Sequence, residues 1–471
     1  MKSVSLADTK VFKTRYYHKR IGHLLRVERG REPGFRDKPE VFVIDPVPGV
    51  TPSEKPPVRI FLGTEPMQHR AERVFVWSIL QHRNPARRYE IYFMKDLTGY
   101  DRDRWKTGFT NYRYAIPFMA GETGRAIYND VDQVYLTDPA ELFDRDMNGA
   151  GQMCIAPRET AVMLLDCEKM AKVWSLEDAQ RGAKHRVFRD KVAAVPGLFQ
   201  PFEGGWNARD HEYHKGDAKV LHYTTLQTQP WRPFPKVLRY KDNPVGYIWF
   251  DMEKAADEAG FTIFTEEHPS TRYKKLVAMY QSMHEEGWTQ ANWAPEETFD
   301  GKSLGHHIQP IAALVRETGA KTLLDYGSGK AKHYQPYPGD VPESRFKSLK
   351  EWGDVKVTCY DPGYQPYAGP IEPKYDGVIC TDVLEHIPEE DIPWVLDKLF
   401  GHAGKFVYAV AACYPARKTL PDGQNAHCTV LEPRWWREQM EAAARRTPGV
   451  KWQLCARVKG PLGKSDRVFR G

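Results

Sequence analysis

Val58-Arg-Ile-Phe-Leu62 is a short apolar run that ends in Gly63-Thr64-Glu65, and it opens an alternation of apolar runs and amphipathic stretches. Apolar positions at Val74, Val76, Ile79 and Leu80 mark a helical stretch, and Tyr89-Glu-Ile-Tyr-Phe-Met94 reads as a second strand. A further apolar strand, Ala126 to Leu136, is broken by Asp130-Val-Asp132 and then resumes. Val162-Met-Leu-Leu-Asp166 is another strand, and Val220-Leu-His222 is a short one closing on a histidine. Strands alternating with helices predict a mainly parallel sheet, and such sheets bind ligands at the carboxyl ends of their strands. Gly63, Thr64 and Glu65, and then Asp130 and Asp132, stand at such ends.

A helix expected over 273–286 leads into a connector containing Trp and Pro, after which a second pattern of the same kind begins. It has a helix over 308–318 and strands over 321–325, 355–360, 375–381 and 405–411. A chain of 471 residues is too long for one ordinary core. The expected division is a basic extension and Pro-rich linker (1–57), a first α/β domain (58–268), a helical linker (269–298) and a second α/β domain (299–471).

Charge and cysteine usage narrow the function classes. A net charge of +6 is too mild for a dedicated nucleic-acid binder, although residues 1–38 are basic and could meet an anionic membrane leaflet or an acidic acceptor. The seven cysteines are scattered singly with no Cys-x-x-Cys, which argues for a reducing compartment and against a disulfide framework or structural zinc. No signal-peptide pattern or membrane-length apolar run occurs. The expectation is a soluble, cytoplasmic protein, with possible peripheral contact at the inner membrane face.

Two carboxylates one residue apart at the end of a buried strand are costly unless a cation meets them, and hard oxygen ligands suit Mn²⁺ or Mg²⁺. His222, at the end of its own short strand, is a candidate third ligand. The stretch from Tyr112-Arg-Tyr-Ala-Ile-Pro117 through Ala126 to Leu142, with the later His222 and Gln229-Pro-Trp231, resembles glycosyltransferase family 8. That is a retaining group of GT-A fold, and the resemblance spans roughly residues 58–240. It implies a nucleotide-diphosphate sugar donor, most often UDP-linked, and a glycan acceptor. It also implies metal ligation by Asp130, Asp132 and His222, and charge stabilisation by Arg113. Two positions depart from the family: Glu159-Thr160-Ala161 stands where Asn-Ser-Gly is usual, and Gln229 replaces a lysine that Arg232 could substitute. Asp166, Glu203 and Asp210 are base candidates by position. Gly204-Gly205-Trp206-Asn207 could shape the acceptor site.

The second constellation is Leu323-Leu-Asp325-Tyr-Gly327-Ser-Gly329-Lys-Ala331. A lone Gly-x-Gly is weak, and neither a Walker A loop nor a dinucleotide fingerprint is completed here. Asp361, after the next strand, could accept hydrogen bonds from ribose hydroxyls, and Thr381-Asp382-Val-Leu-Glu385-His386 follows a third strand. In this order the motifs resemble a class I S-adenosylmethionine-dependent methyltransferase of Rossmann-like fold, over about 299–460. The resemblance implies cofactor contacts by Asp325, Gly327, Gly329, Asp361 and Asp382. The interval from Asp325 to Asp361 is long, which implies an inserted loop over 332–352. His386 and His427 are the candidate bases for methylation of a hydroxyl.

The reading is a bifunctional transferase that adds and methylates sugars, as in surface polysaccharide biosynthesis. The alternatives are glycosylation and methylation of nucleic-acid bases, or a carbohydrate-binding scaffold with an inactive domain.

Overall fold

The structure, a computed structural model, describes residues 34, 36–65, 68–102, 105, 107–233, 238–288, 293–299, 301–334, 349–460 and 463–471. Most of the basic N-terminal stretch and the middle of the expected inserted loop lie outside them. The chain divides into two compact units, the first reaching Ile263 and the second starting at Phe264. Both are α/β. Among the described residues no helix is long and apolar enough to cross a membrane.

The first unit carries β1 (Glu40–Ile44), β2 (Val58–Gly63), β3 (Tyr89–Met94), β4 (Arg125–Asp130), β5 (Gln133–Tyr135), β6 (Gln152–Cys154), β7 (Val162–Asp166), β8 (Phe199–Pro201), β9 (Ala208–Arg209) and β10 (Val220–His222). Seven of these form one sheet in the order β1-β3-β2-β4-β7-β6-β8, and β5-β10-β9 form a second. The first sheet is mixed where a mainly parallel one is expected. β2 runs parallel to β3 and β4, and β6 to β8, but β1–β3, β4–β7 and β6–β7 are antiparallel. Hydrophobic runs such as Val162–Asp166 mark burial and leave strand direction open. Glu40–Ile44, within the stretch read as an extension, pairs with β3 along its whole length.

Val58, Ile60, Phe61 and Leu62 of β2 are fully buried, and each contributes about 1.5–3 kcal/mol by leaving water. The helix His69–His82 buries Ala71, Val74, Phe75 and Ile79, and the Phe75 ring meets Tyr135 of β5 edge-on. Chain order steps from β2 to β3 on one side and then to β4 on the other. The carboxyl ends of β2 and β4 therefore flank the point where strand order reverses, which is where open α/β sheets leave a crevice. Gly63 and Asp130 are register partners there.

The second unit is one sheet in the order β12-β11-β13-β14-β15-β16, built from β11 (Thr322–Tyr326), β12 (Lys356–Tyr360), β13 (Tyr375–Cys380), β14 (Ala403–Ala412), β15 (Lys451–Gly460) and β16 (Gly463–Arg470). All neighbours are parallel except β15–β16. Its reversal point lies between β11 and β13, so Tyr326-Gly327 and Cys380-Thr381 flank the corresponding crevice. The helix Ile308–Thr318 buries Ile311, Ala312 and Val315 against Leu323, Ile379 and Phe406. The helix Thr271–Glu286, read as part of a linker, belongs to this unit: Leu276 and Met283 pack with Leu420 and Ala426. Its N-cap Ser270 accepts from Tyr273 N–H (3.0 Å) and is itself tied to Asp391 by backbone and side-chain hydrogen bonds.

Candidate functional site

β4 delivers Asp130, and a two-residue turn delivers Asp132. The backbone is then pinned on both sides: Val131 N–H donates to Gly63 carbonyl (3.0 Å) and Tyr223 N–H to Asp132 carbonyl (2.8 Å). The second bond extends the antiparallel β5–β10 ladder, in which His222 faces Gln133. Asp130, Asp132 and His222 thus come together, with ligand atoms all within 4.8 Å of one another.

Each of the three is oriented by a partner. His222 pairs Nε2 with Asp132 Oδ1 (3.0 Å) and Nδ1 with Asn207 Oδ1 (2.7 Å). With Nδ1–H donated to the amide oxygen, Nε2 is the nitrogen that faces the carboxylates. Gln229 Nε2 donates to Asp132 Oδ2 and to Tyr223 carbonyl, 3.1 Å each. Arg113 donates to Asp130 Oδ1 (2.9 Å), to Thr160 carbonyl (2.7 Å) and Oγ1 (3.1 Å), and to Thr110 carbonyl (3.0 Å). Its guanidinium also lies over the Tyr128 ring, and the Tyr128 hydroxyl donates to Asp130. Burial raises the Asp130 pKa; Arg113 opposes this and Asp132 adds to it. Burial works to lower the His222 pKa, but the Asp132 charge and hydrogen bond outweigh it, and the net shift is upward. Two carboxylates and an imidazole whose far nitrogen is held by an amide oxygen fit a divalent cation such as Mn²⁺.

The family departures have local explanations. Thr160 anchors Arg113, and Ala161 carbonyl accepts from Asp130 N–H and from Gln133 Nε2, 3.1 Å each. Gln229 braces Asp132 where the resemblance suggests a lysine for the diphosphate. Arg232 reaches Asp242 at 3.6 Å. At the end of β2 a Cβ on Gly63 would lie 2.4 Å from the Tyr128 hydroxyl. Thr64 donates to buried Glu72 (2.6 Å), and Glu65 accepts from Gly108 N–H (2.9 Å).

The base candidates separate. Asp166 pairs in register with Arg125 at the opposite end of β4, about 16 Å of strand from Asp130. There it caps the helix Cys167–Ala171 through Lys169 N–H. The structure does not bring it to the metal-type cluster. Asp210 is held by Thr224 N–H (3.1 Å) and Asn243 Nδ2 (2.6 Å). Glu203 pairs with Arg145 and lines a cleft of about 580 Å³ with Trp206, Arg209, His214 and Lys219. Asn207, Gln229, Tyr128 and Thr160 are the residues that sequence reasoning did not assign to this cluster. The Gly-Gly-Trp-Asn turn was the available signal for Asn207.

In the second unit Asp325, Asp361 and Asp382 stand at or just beyond the carboxyl ends of β11, β12 and β13. Asp325 is buried and accepts from the Tyr334 hydroxyl (2.8 Å); burial pushes its pKa up to about 7. Asp361 accepts from Gly329 N–H and Gly363 N–H, 2.8 Å each, which leaves lone pairs for a ligand's hydroxyls. A row of acceptors at a strand-order reversal fits a ribose-bearing cofactor such as S-adenosylmethionine. The two glycines are also required by the protein itself. A Cβ on Gly327 (φ +80°) would lie 2.3 Å from Val383 Cγ2, and one on Gly329 (φ +56°) 2.4 Å from Phe299 carbonyl.

His386 and His427 meet with ring centroids 4.9 Å apart. His386 Nδ1 pairs with the Tyr280 hydroxyl (2.8 Å), and His427 Nδ1 with Tyr414 carbonyl (2.7 Å). Burial, with His427 beside it, pushes the His386 pKa down to about 3, and burial lowers that of His427. His386 is therefore a poor proton acceptor at neutral pH.

No family model matches the chain. Protein CDI of Arabidopsis thaliana is 31% identical over 121 residues, which is 24% of this chain and 47% of that protein, so the chain spans about half the length of this curated relative. Among solved structures, the galactosyltransferase LgtC in complex with donor and acceptor sugar analogs is 12% identical, over 42% of this chain and 96% of its own, at a TM-score of 0.31. The glycosyltransferase GlyE of Streptococcus pneumoniae TIGR4 is 12% identical over 83% of this chain and 100% of its own (TM-score 0.32). The mitomycin 7-O-methyltransferase MmcR is 13% identical over 60% and 68% (TM-score 0.20). Likenesses at these TM-scores carry no inference about function.

Proposed function

We propose that the chain is a bifunctional transferase. The first unit moves a sugar from a nucleotide-diphosphate donor, UDP-linked in the simplest case, to a glycan hydroxyl, and the second methylates a hydroxyl from S-adenosylmethionine. The observation that carries the reading is the convergence of Asp130, Asp132 and His222 at the reversal point of the first sheet.

A divalent cation, when bound there, supplies positive charge to a departing diphosphate. The chain's own residues set the geometry. Asn207 fixes the ring of His222, Gln229 fixes the second oxygen of Asp132, and Thr160 holds Arg113 against Asp130. In this reading Arg113 is a positioning residue whose charge makes a doubly acidic, half-buried turn tolerable. The retaining outcome follows from the family resemblance. In the second unit S-adenosylmethionine supplies an electrophilic methyl group. Asp361 has the lone pairs for ribose hydroxyls, and Gly327 lets Val383 close against the loop. Two transferases in one chain suit successive steps on one glycan, as in surface polysaccharide assembly.

The test is thermal stabilisation of the whole protein by UDP with Mn²⁺ and, separately, by S-adenosylhomocysteine. The expected result is a UDP shift that needs Mn²⁺ and disappears in Asp132→Ala, with the S-adenosylhomocysteine shift retained. A UDP response indifferent to both metal and the substitution overturns the sugar-transfer half. No response to S-adenosylhomocysteine overturns the methyl-transfer half.

A further inference from the structure

We propose that Glu385, His386 and His427 form a second divalent-cation site, and that the cation held there binds the hydroxyl to be methylated. The proposal rests on the methyl-transfer reading of this unit and adds to it a metal requirement and a class of acceptor.

Glu385 and His386 lie on the 3-10 turn Leu384–His386 that follows β13, and His427 comes from the loop between β14 and the helix Pro433–Arg446. Their ligand atoms all lie within 4.8 Å of one another. Glu385 is 1% exposed, and its Oε2 has no hydrogen-bond partner. A buried carboxylate oxygen left this way is costly unless a proton or a cation meets it. Asp382 Oδ1, three residues earlier, is a second buried acceptor with no partner.

His427 is held as a metal ligand is, while the His386 ring also meets the Ala426 backbone, a contact that a bound cation has to displace. A carbonyl can only accept, so His427 Nδ1 carries the proton given to Tyr414, and a neutral ring then presents the lone pair of Nε2. His386 is fixed at Nδ1 by the Tyr280 hydroxyl, which reaches it from the helix Thr271–Glu286. Two imidazoles and a carboxylate form a donor set for a transition-metal dication such as Mn²⁺ and not for Ca²⁺, and three protein ligands leave coordination positions open.

Those open positions define the acceptor. Two neighbouring oxygens, as on the vicinal diol of a sugar, can occupy them together. Coordination lowers the hydroxyl pKa, so its proton passes to water. The oxygen then attacks the methyl carbon, the O–C bond forms, and the breaking S–C bond leaves its electron pair on sulfur.

The experiment is Mn²⁺ binding by the full-length Asp132→Ala protein, in which the first site is impaired, read by electron paramagnetic resonance alongside calorimetric titration with S-adenosylhomocysteine. One bound Mn²⁺ is expected, with nuclear modulation from two histidine nitrogens. Adding Glu385→Gln or His427→Ala should weaken it at least about 10-fold while S-adenosylhomocysteine still binds. No bound Mn²⁺ in the parent, or coupling to fewer than two nitrogens, overturns the proposal even if a variant fails to fold. So does unchanged Mn²⁺ affinity in both variants. Two-nitrogen Mn²⁺ binding without any S-adenosylhomocysteine binding overturns the methyl-transfer reading instead and leaves the cation site standing.

Discussion

Asn207 holds His222 from behind, and its effect should be felt entirely through that ring. Asn207→Ala should leave the fold intact and weaken Mn²⁺ binding about 10- to 100-fold, the usual effect of losing such a partner; a titration of the purified variant reads this directly. Asp325 makes a separate prediction about pH. Its pKa rises on folding from 3.8 to about 7, mainly through burial, so the native state keeps a proton that the unfolded chain releases. Its contribution to stability is full below pH 3.8 and is lost as pH rises through about 7. Once ionised, this acid costs about 4 kcal/mol. Asp325→Asn cannot ionise yet can still accept from Tyr334. Without ligand, the wild-type melting midpoint should therefore fall relative to the variant across that window and run parallel above it. Asp130, Asp132 and His222 were legible in sequence because their chemistry is unusual at strand ends. Asn207, Gln229 and Thr160 were not, because each is an ordinary polar residue until the fold places it beside His222, Asp132 or Arg113.

At the scale of elements, the Gly327 loop shows a motif serving its own packing. Gly327→Ala combines a positive φ with a 2.3 Å approach to Val383, and should destabilise the second unit by about 2–4 kcal/mol. Adding Val383→Ala should recover the contact part and leave the backbone part, which a denaturation double-mutant cycle resolves. Ser270 caps the helix Thr271–Glu286 and partners the buried Asp391. Ser270→Ala should cost about 1–3 kcal/mol, measured in the same way. Most long elements were legible: β3 and the helix Ile308–Thr318 fall where the periodicity puts them. The strands β6, β8 and β9 were not. Each has three residues or fewer, too short for any period to register. β1 escaped because it alternates exposed and covered positions at a sheet edge, flanked by charge and proline.

At the scale of the molecule, two compact units with a candidate donor site in each should respond to their ligands separately. In differential scanning, UDP with Mn²⁺ should raise one transition and S-adenosylhomocysteine another, and together the shifts should appear side by side. The sequence by itself determined that the chain is α/β, that Gly63 to Glu65 and Gly327 to Gly329 close buried strands, and that paired acids stand at a strand end. Those features are local, because apolar period and turn chemistry act over a few residues. Only the tertiary structure decided that β7 runs antiparallel and carries Asp166 to the far end of the sheet. Only it decided that Arg113 meets Asp130, and that His427 meets Glu385 and His386. These are contacts between distant segments, set by how sheets pair and helices pack, and no local pattern encodes which buried group will face which.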